Sequence, residues 1–174
     1  MKTGRQKIEP DRIGGISMRL YLVRHGEALD EAVDPERPLS QRGVQEVALT
    51  GHFLKEIGAK PQVVICSEKL RARQTAERLL QEMGQKEKIE QRKGLAPKDD
   101  PEPFAEELGL FSPDLLIAGH SPFLPRLAAQ LLCGKADPEI FTLPPGGLLC
   151  LEREGRGNWR LTLSISPSYL AELS

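Results

Sequence analysis

The stretch LYLVRHGEA, Leu20 to Ala28, decides how the rest of the chain is read. Its first four residues are apolar and run straight into Arg24, His25 and Gly26. A strand that is apolar at consecutive positions is covered on both faces, as in a parallel sheet beneath helices. Ligands of such sheets sit in the crevice outside the carboxyl ends of the strands. Arg24 and His25 therefore stand where a ligand is expected. Gly26 relieves crowding where backbone approaches a ligand.

Outward from this stretch, strands and helices alternate. Met18–Val23 reads as the first strand, followed by a polar, proline-containing loop. Ser40 is a plausible N-cap for a helix running to Gly58. Pro61–Cys66 is a short apolar strand, and a helix to Gly84 follows with Ser67 as its cap. A short strand over Lys88–Lys93, a loop, and a helical piece over Ala105–Phe111 come next. A third buried strand lies within Asp114–Gly119. Its helix ends at Gly134, with Ser121 as cap and Pro122 at the first helical position. Two terminal strands, Gly147–Glu154 and Asn158–Ile165, share the turn candidate Gly155–Asn158. The pattern predicts an α/β fold: three αβα layers around a mainly parallel central sheet. One domain is expected over residues 18–174, with 1–17 a polar extension, poorly ordered or loosely docked.

Composition excludes several classes. Of the 174 residues, 39% are hydrophobic and 28% charged, with a formal net charge of −1. Nothing in that balance calls for nucleic acid or an anionic membrane as partner. No apolar run approaches the roughly 20 residues that span a bilayer, and the N-terminus lacks the apolar core of a signal peptide. Cys66, Cys133 and Cys150 offer neither a disulfide framework nor metal-ligand spacing. They suit a reducing, cytoplasmic setting, with Cys66 and Cys150 as core residues.

Three strand ends carry the chemistry. The first presents Arg24 and His25. The second is followed by Ser67 and Arg71. The third ends in His120, beside a helix N-terminus, where anions are favoured. Arginine forks match phosphate oxygens in bidentate fashion. One neutral histidine can be a nucleophile, and a second can stabilise charge on the transferring group. The physical reading is a phosphoryl-transfer site with no metal and no cofactor. His52, inside a helix, reads as structural. Arg73 points elsewhere on its helix and reads as solvated. Glu27 is a cap or surface charge with no chemistry.

These motifs resemble the histidine phosphatase superfamily, which includes the phosphoglycerate mutases. LVRHGEA looks like its signature strand end, CSEKLRARQTAE its second motif, and IAGHSP its second-histidine motif. RPLSQRG, LAPKDDPE, GHSPFLPRLAAQLL and the compact C-terminal part are similar to the SixA-type phosphohistidine phosphatases. The resemblance implies a phosphoglycerate mutase-like fold. It implies that His25 attacks phosphorus, that Arg24 and Arg71 clamp the phosphate with Gly26 and Ser67 beside it, and that His120 stabilises the transition state. Water then hydrolyses the phosphohistidine. Asp99 and Asp100 are the candidates for the general acid found in larger members, against a plain loop-and-cap reading. Glu68 departs from the motif's usual proline and would put a negative charge in the first turn of the second helix.

The substrate this implies is a phosphohistidine on a protein, such as a histidine-containing phosphotransfer domain. Its imidazole leaving group, with a pKa of roughly 6.5, needs little protonic help. The alternatives are a phosphomonoesterase acting on a small phosphorylated molecule, a sugar or nucleotide phosphate, and a non-catalytic phosphate-binding module. A mutase fits least, since little chain is available to enclose a site. Activity is expected to fall below about pH 6 as the nucleophile protonates.

Overall fold

The computed structural model describes residues 17–136 and 140–173. Their order is β1 (Ser17–Arg24), α1 (Gln41–Glu56), β2 (Val63–Ser67), α2 (Leu70–Met83), β3 (Ile89–Arg92), α3 (Glu102–Leu110), β4 (Leu115–Gly119), α4 (Phe123–Cys133), β5 (Leu148–Glu154), β6 (Trp159–Ile165) and α5 (Pro167–Leu173). The expectation for residues 1–17 falls outside the described residues, except that Ser17 already belongs to β1, opposite Glu154.

The six strands form one sheet in the order β3-β2-β4-β1-β5-β6. β3, β2, β4 and β1 are mutually parallel; β5 and β6 close the edge antiparallel. The mainly parallel αβα architecture is therefore as the strand-helix alternation predicts. Successive residues of β1 divide between its two faces, as strand geometry requires. Met18, Leu20 and Leu22 pack in the core beneath α3 and α4, with Phe104, Leu108, Phe123, Leu124 and Leu127. Tyr21 and Val23 pack on the other face beneath α1 and α2, with Val47, Leu54, Ala72, Ala76 and Leu79. Cys66 and Cys150 lie in this second core.

Three local readings need correction. Ser67 does not cap α2: β2 runs one residue further than its apolar pattern suggests, and Lys69 occupies the N-cap position. Glu68 accordingly precedes the helix instead of sitting in its first turn. Ser121 does not cap α4 either. Pro122 is the N-cap residue, joined to Ser121 by a cis peptide bond, and the helix begins at Phe123. Ser40, in contrast, caps α1 as read, its hydroxyl accepting from the Gly43 N–H at 3.0 Å.

Candidate active site

β1 and β4 lie side by side, and their carboxyl ends coincide. Arg24 is in register with Gly119, and the His25 N–H donates to the Gly119 carbonyl at 2.9 Å. β2 flanks β4 on its other side, with Cys66 opposite Ala118. Sheet pairing alone thus brings Arg24, His25, Ser67 and His120 together. α2 returns from the end of β2 and adds Arg71 one turn in.

Each side chain is held by a specific contact. The His25 Nδ1–H donates to the Gly26 carbonyl at 2.7 Å. A carbonyl only accepts, so this bond places the ring proton on Nδ1 and leaves a lone pair on Nε2. Arg71 Nε–H points at that lone pair from 3.3 Å. Arg24 donates through Nη1 to the Leu143 carbonyl at 2.9 Å, while its buried Nε has no partner among the described residues. The loop ahead of β5 thereby aims one arginine. Thr50 steadies that loop from α1, its hydroxyl donating to the Gly146 carbonyl at 2.7 Å. His120 is 1% exposed, and its ring centroid lies 5.1 Å from that of His25 in an edge-on arrangement. Its Nε2 is 2.5 Å from Ser67 Oγ, and its Nδ1 is buried without a partner among the described residues.

The electrostatics keep both rings neutral. Burial, helped by Arg71, Arg24 and Arg37 against the opposing bond to Gly26, lowers the His25 pKa to about 4. Burial and then His25, Arg71, Lys69 and Arg24 lower that of His120 to about 3. The acid limb of activity therefore belongs well below the pH 6 expected from a free imidazole. The arrangement is a neutral nucleophile within a ring of cations, with an unused N–H on Arg24 and an unpartnered ring nitrogen on His120 among the described residues. That is a site for a tetrahedral oxyanion.

A profile of the histidine phosphatase superfamily (branch 1) matches residues 20–97. Phosphohistidine phosphatase SixA of Escherichia coli (strain K12) is 30% identical over 159 residues, covering 83% of this chain and 94% of the relative. The chain belongs to the histidine phosphatase superfamily. The solved structure of the protein histidine phosphatase SixA complexed with tungstate superposes with a TM-score of 0.77 at 28% identity, covering 88% of this chain and 99% of that one. A phosphoglycerate mutase from Bacillus anthracis str. Sterne shares the fold, with a TM-score of 0.68 at 18% identity over 91% and 97% of the two chains. This member of the superfamily is a hydrolase, a phosphatase with the phosphoglycerate mutase-like fold.

Arg24, His25, Arg71, His120, Gly26 and Ser67 all fall in one place, but Gly26 is small for a different reason than expected. A Cβ there would lie 2.4 Å from the Gly43 carbonyl oxygen, so the crowding is with the start of α1 and not with a ligand. The carboxylates of Asp99 and Asp100 accept from the Ala96 and Glu102 N–H groups, at 2.8 and 3.1 Å. Their recorded bonds are those of a turn and a helix start, which favours the loop-and-cap reading. His52 is exposed on α1. Glu27 links β1 to α1 by accepting from Ser40 Oγ at 2.8 Å.

Arg37 was not singled out by sequence reasoning. It sits in the loop between β1 and α1 with φ at 49°, donates to the Leu29 carbonyl, and is close enough to help lower the pKa of His25. Its signal was the RPLSQRG stretch, read only for its likeness. Arg37, Lys69 and Arg71 line a cleft of about 610 Å³ together with Glu31, Glu68 and Arg73. Arg73 thus faces the same cleft as Arg71, while also pairing with Glu77 at 3.4 Å.

Proposed function

We propose that this phosphatase removes phosphate from phosphohistidine on a protein, through a phosphohistidine intermediate on His25 and without a metal. The observation that carries the reading is the state of the His25 ring. Its proton is tied to the Gly26 carbonyl, and its Nε2 is unprotonated, the lone pair facing the Arg71 Nε–H within the cation cluster.

His25 Nε2 attacks phosphorus. The new N–P bond forms as the bond to the substrate's imidazole breaks; the substrate ring, protonated on its other nitrogen, takes the electron pair and leaves as neutral imidazole. Its pKa, roughly 6.5, makes a buried carboxylic acid unnecessary, in keeping with the engagement of Asp99 and Asp100 in their own loop. Arg24, Arg71 and His120 hold the three equatorial oxygens as charge shifts among them. Water then attacks the phosphorus, inorganic phosphate departs, and Nε2 regains its lone pair. The guanidinium groups supply the charge neutralisation that a metal would otherwise bring. The charged cleft beside Arg71 gives a polypeptide surface room to approach, and the likeness to SixA supports the same substrate class.

The test is phosphate release from a phosphohistidine-bearing protein and from p-nitrophenyl phosphate, in EDTA, by wild type and His25→Ala. Fast, His25-dependent release from the phosphoprotein with slow ester hydrolysis is expected. Equal or faster turnover of the ester would move the reading to a small-molecule phosphomonoesterase. Loss of activity in EDTA would remove the metal-free mechanism.

A further inference from the structure

We infer that Ser67 is a positioning residue that fixes His120 in its Nδ1–H tautomer and so presents an N–H donor to the transferring phosphoryl group. The inference rests on the proposed role of His120 as a donor to phosphate oxygens. It gives Ser67 a part different from phosphate binding.

The argument is a hydrogen-bond account. Ser67 ends β2 and is 2% exposed, so its hydroxyl proton has no water to go to and must be donated within the protein. Its recorded partners are the Lys69 backbone N–H at 3.3 Å and His120 Nε2 at 2.5 Å. The Lys69 N–H can only donate, so it takes a serine lone pair. Among the described residues, the one acceptor left for the serine proton is His120 Nε2. If Nε2 carried the ring proton instead, two protons would face each other or the hydroxyl would be orphaned in the core. The ring is neutral, because burial and the surrounding cations disfavour its charged form. Its single proton therefore sits on Nδ1.

That atom is buried, without a partner among the described residues, on a ring 5.1 Å from that of the nucleophile. An unmet buried N–H is costly, and a phosphoryl oxygen is the acceptor it lacks. The same chain of contacts explains why β2 runs on to Ser67 in place of a capped helix start. The serine oxygen faces the neighbouring strand's histidine, so α2 begins without a side-chain cap.

Nitrogen NMR of the full-length, unliganded protein tests this directly. The His120 ring signals are assigned by their loss in His120→Asn. Expected is a protonated, pyrrole-like Nδ1 and an unprotonated, pyridine-like Nε2 at pH 7. The reverse assignment overturns the proposal. Ser67→Ala should shift the ring toward the Nε2–H form and lower kcat by about 10- to 100-fold, less than the 10²–10³ typical of deleting a donor outright. Ser67→Thr, which keeps the hydroxyl, should restore both. A Ser67→Ala enzyme with unchanged tautomer and kcat overturns the proposal. If Ser67→Ala does not fold, the wild-type spectrum still decides. If wild type releases no phosphate from phosphohistidine, the substrate reading fails while the spectrum, taken without substrate, stands on its own.

Discussion

At the scale of single residues, catalysis depends on who holds which proton. His25 has its Nδ1 proton on the Gly26 carbonyl and its lone pair toward Arg71. His25→Asn should therefore abolish both turnover and a trappable phosphoenzyme, read by acid-quenched labelling with phosphohistidine substrate. Arg71→Lys should lower kcat/KM by about 10²–10³-fold, because a lysine lacks the planar fork that reaches an oxyanion and the His25 ring together. The pH dependence follows from the same geometry. kcat/KM reports the free enzyme, and His25 there stays neutral down to a pKa of about 4. The nucleophile should leave kcat/KM level from pH 7 to pH 5. A His25-dependent fall centred near pH 6 would mean the cations and burial do not act as described.

At the scale of elements, the site depends on the segment just after β1 crossing the start of α1 without side chains between them. Gly26 and Gly43 make that contact. A Cβ on Gly43 would lie 2.0 Å from the Glu27 carbonyl oxygen, and one on Gly26 would lie 2.4 Å from the Gly43 oxygen. Neither neighbour is a flexible side-chain tip; both are backbone. Gly43→Ala should cost stability at or above the 1–3 kcal/mol usual for overpacking. It should also displace Glu27, two residues past His25, so thermal melts and kcat should both fall. Glu27 bonds reinforce this crossing: its carbonyl accepts from the Ser40 N–H at 2.9 Å, and its carboxylate takes the Ser40 hydroxyl. β2 and β4, by contrast, are paired neighbours in the sheet, and strand pairing sets their distance.

For the whole molecule, the sheet has two poles with opposite demands. The carboxyl-end pole holds neutral histidines and unmet N–H groups, an arrangement that favours function over stability. Both histidines have folded-state pKa values below the ordinary 6.5, at about 4 and 3. The unfolded chain therefore binds more protons on acidification. Stability from these groups is complete above pH 6.5 and is lost as pH falls from there through about 4 for His25 and about 3 for His120. The melting temperature should drop across that window, and His120→Gln should flatten the drop. At the other pole, Arg153 is 5% exposed and lies 4.9 Å from the Trp159 ring. It donates to the carbonyls of Leu108, Gly109 and Phe111 and so holds the end of α3 to the sheet. Arg153→Met would strand those acceptors at about 1–3 kcal/mol for each buried group. The melting temperature should fall by several degrees while kcat of the folded fraction stays unchanged.

The sequence by itself determined whatever rests on local pattern. Apolar runs of strand length separated by helical periodicity specify the layers, and Arg24, His25, Ser67, Arg71 and His120 cluster because parallel strands bring their carboxyl ends to one side. The helix ends at Ser40 and Gly84 were equally readable, since each satisfies its orphan groups within a few residues. The tertiary structure decided the rest, wherever a residue's partner lies far along the chain. Ser67 reads locally as a cap, but its partner is His120 in the neighbouring strand end. Gly26 reads as making room for a ligand, but the room is for Gly43. Arg37 is one charge in a polar loop until folding sets it near His25. The short α5 went unread because its seven residues hold too little periodicity and are positioned by packing on α1. Placement of charge along the chain is local information; its proton, its tautomer and its neighbour are properties of the assembled core.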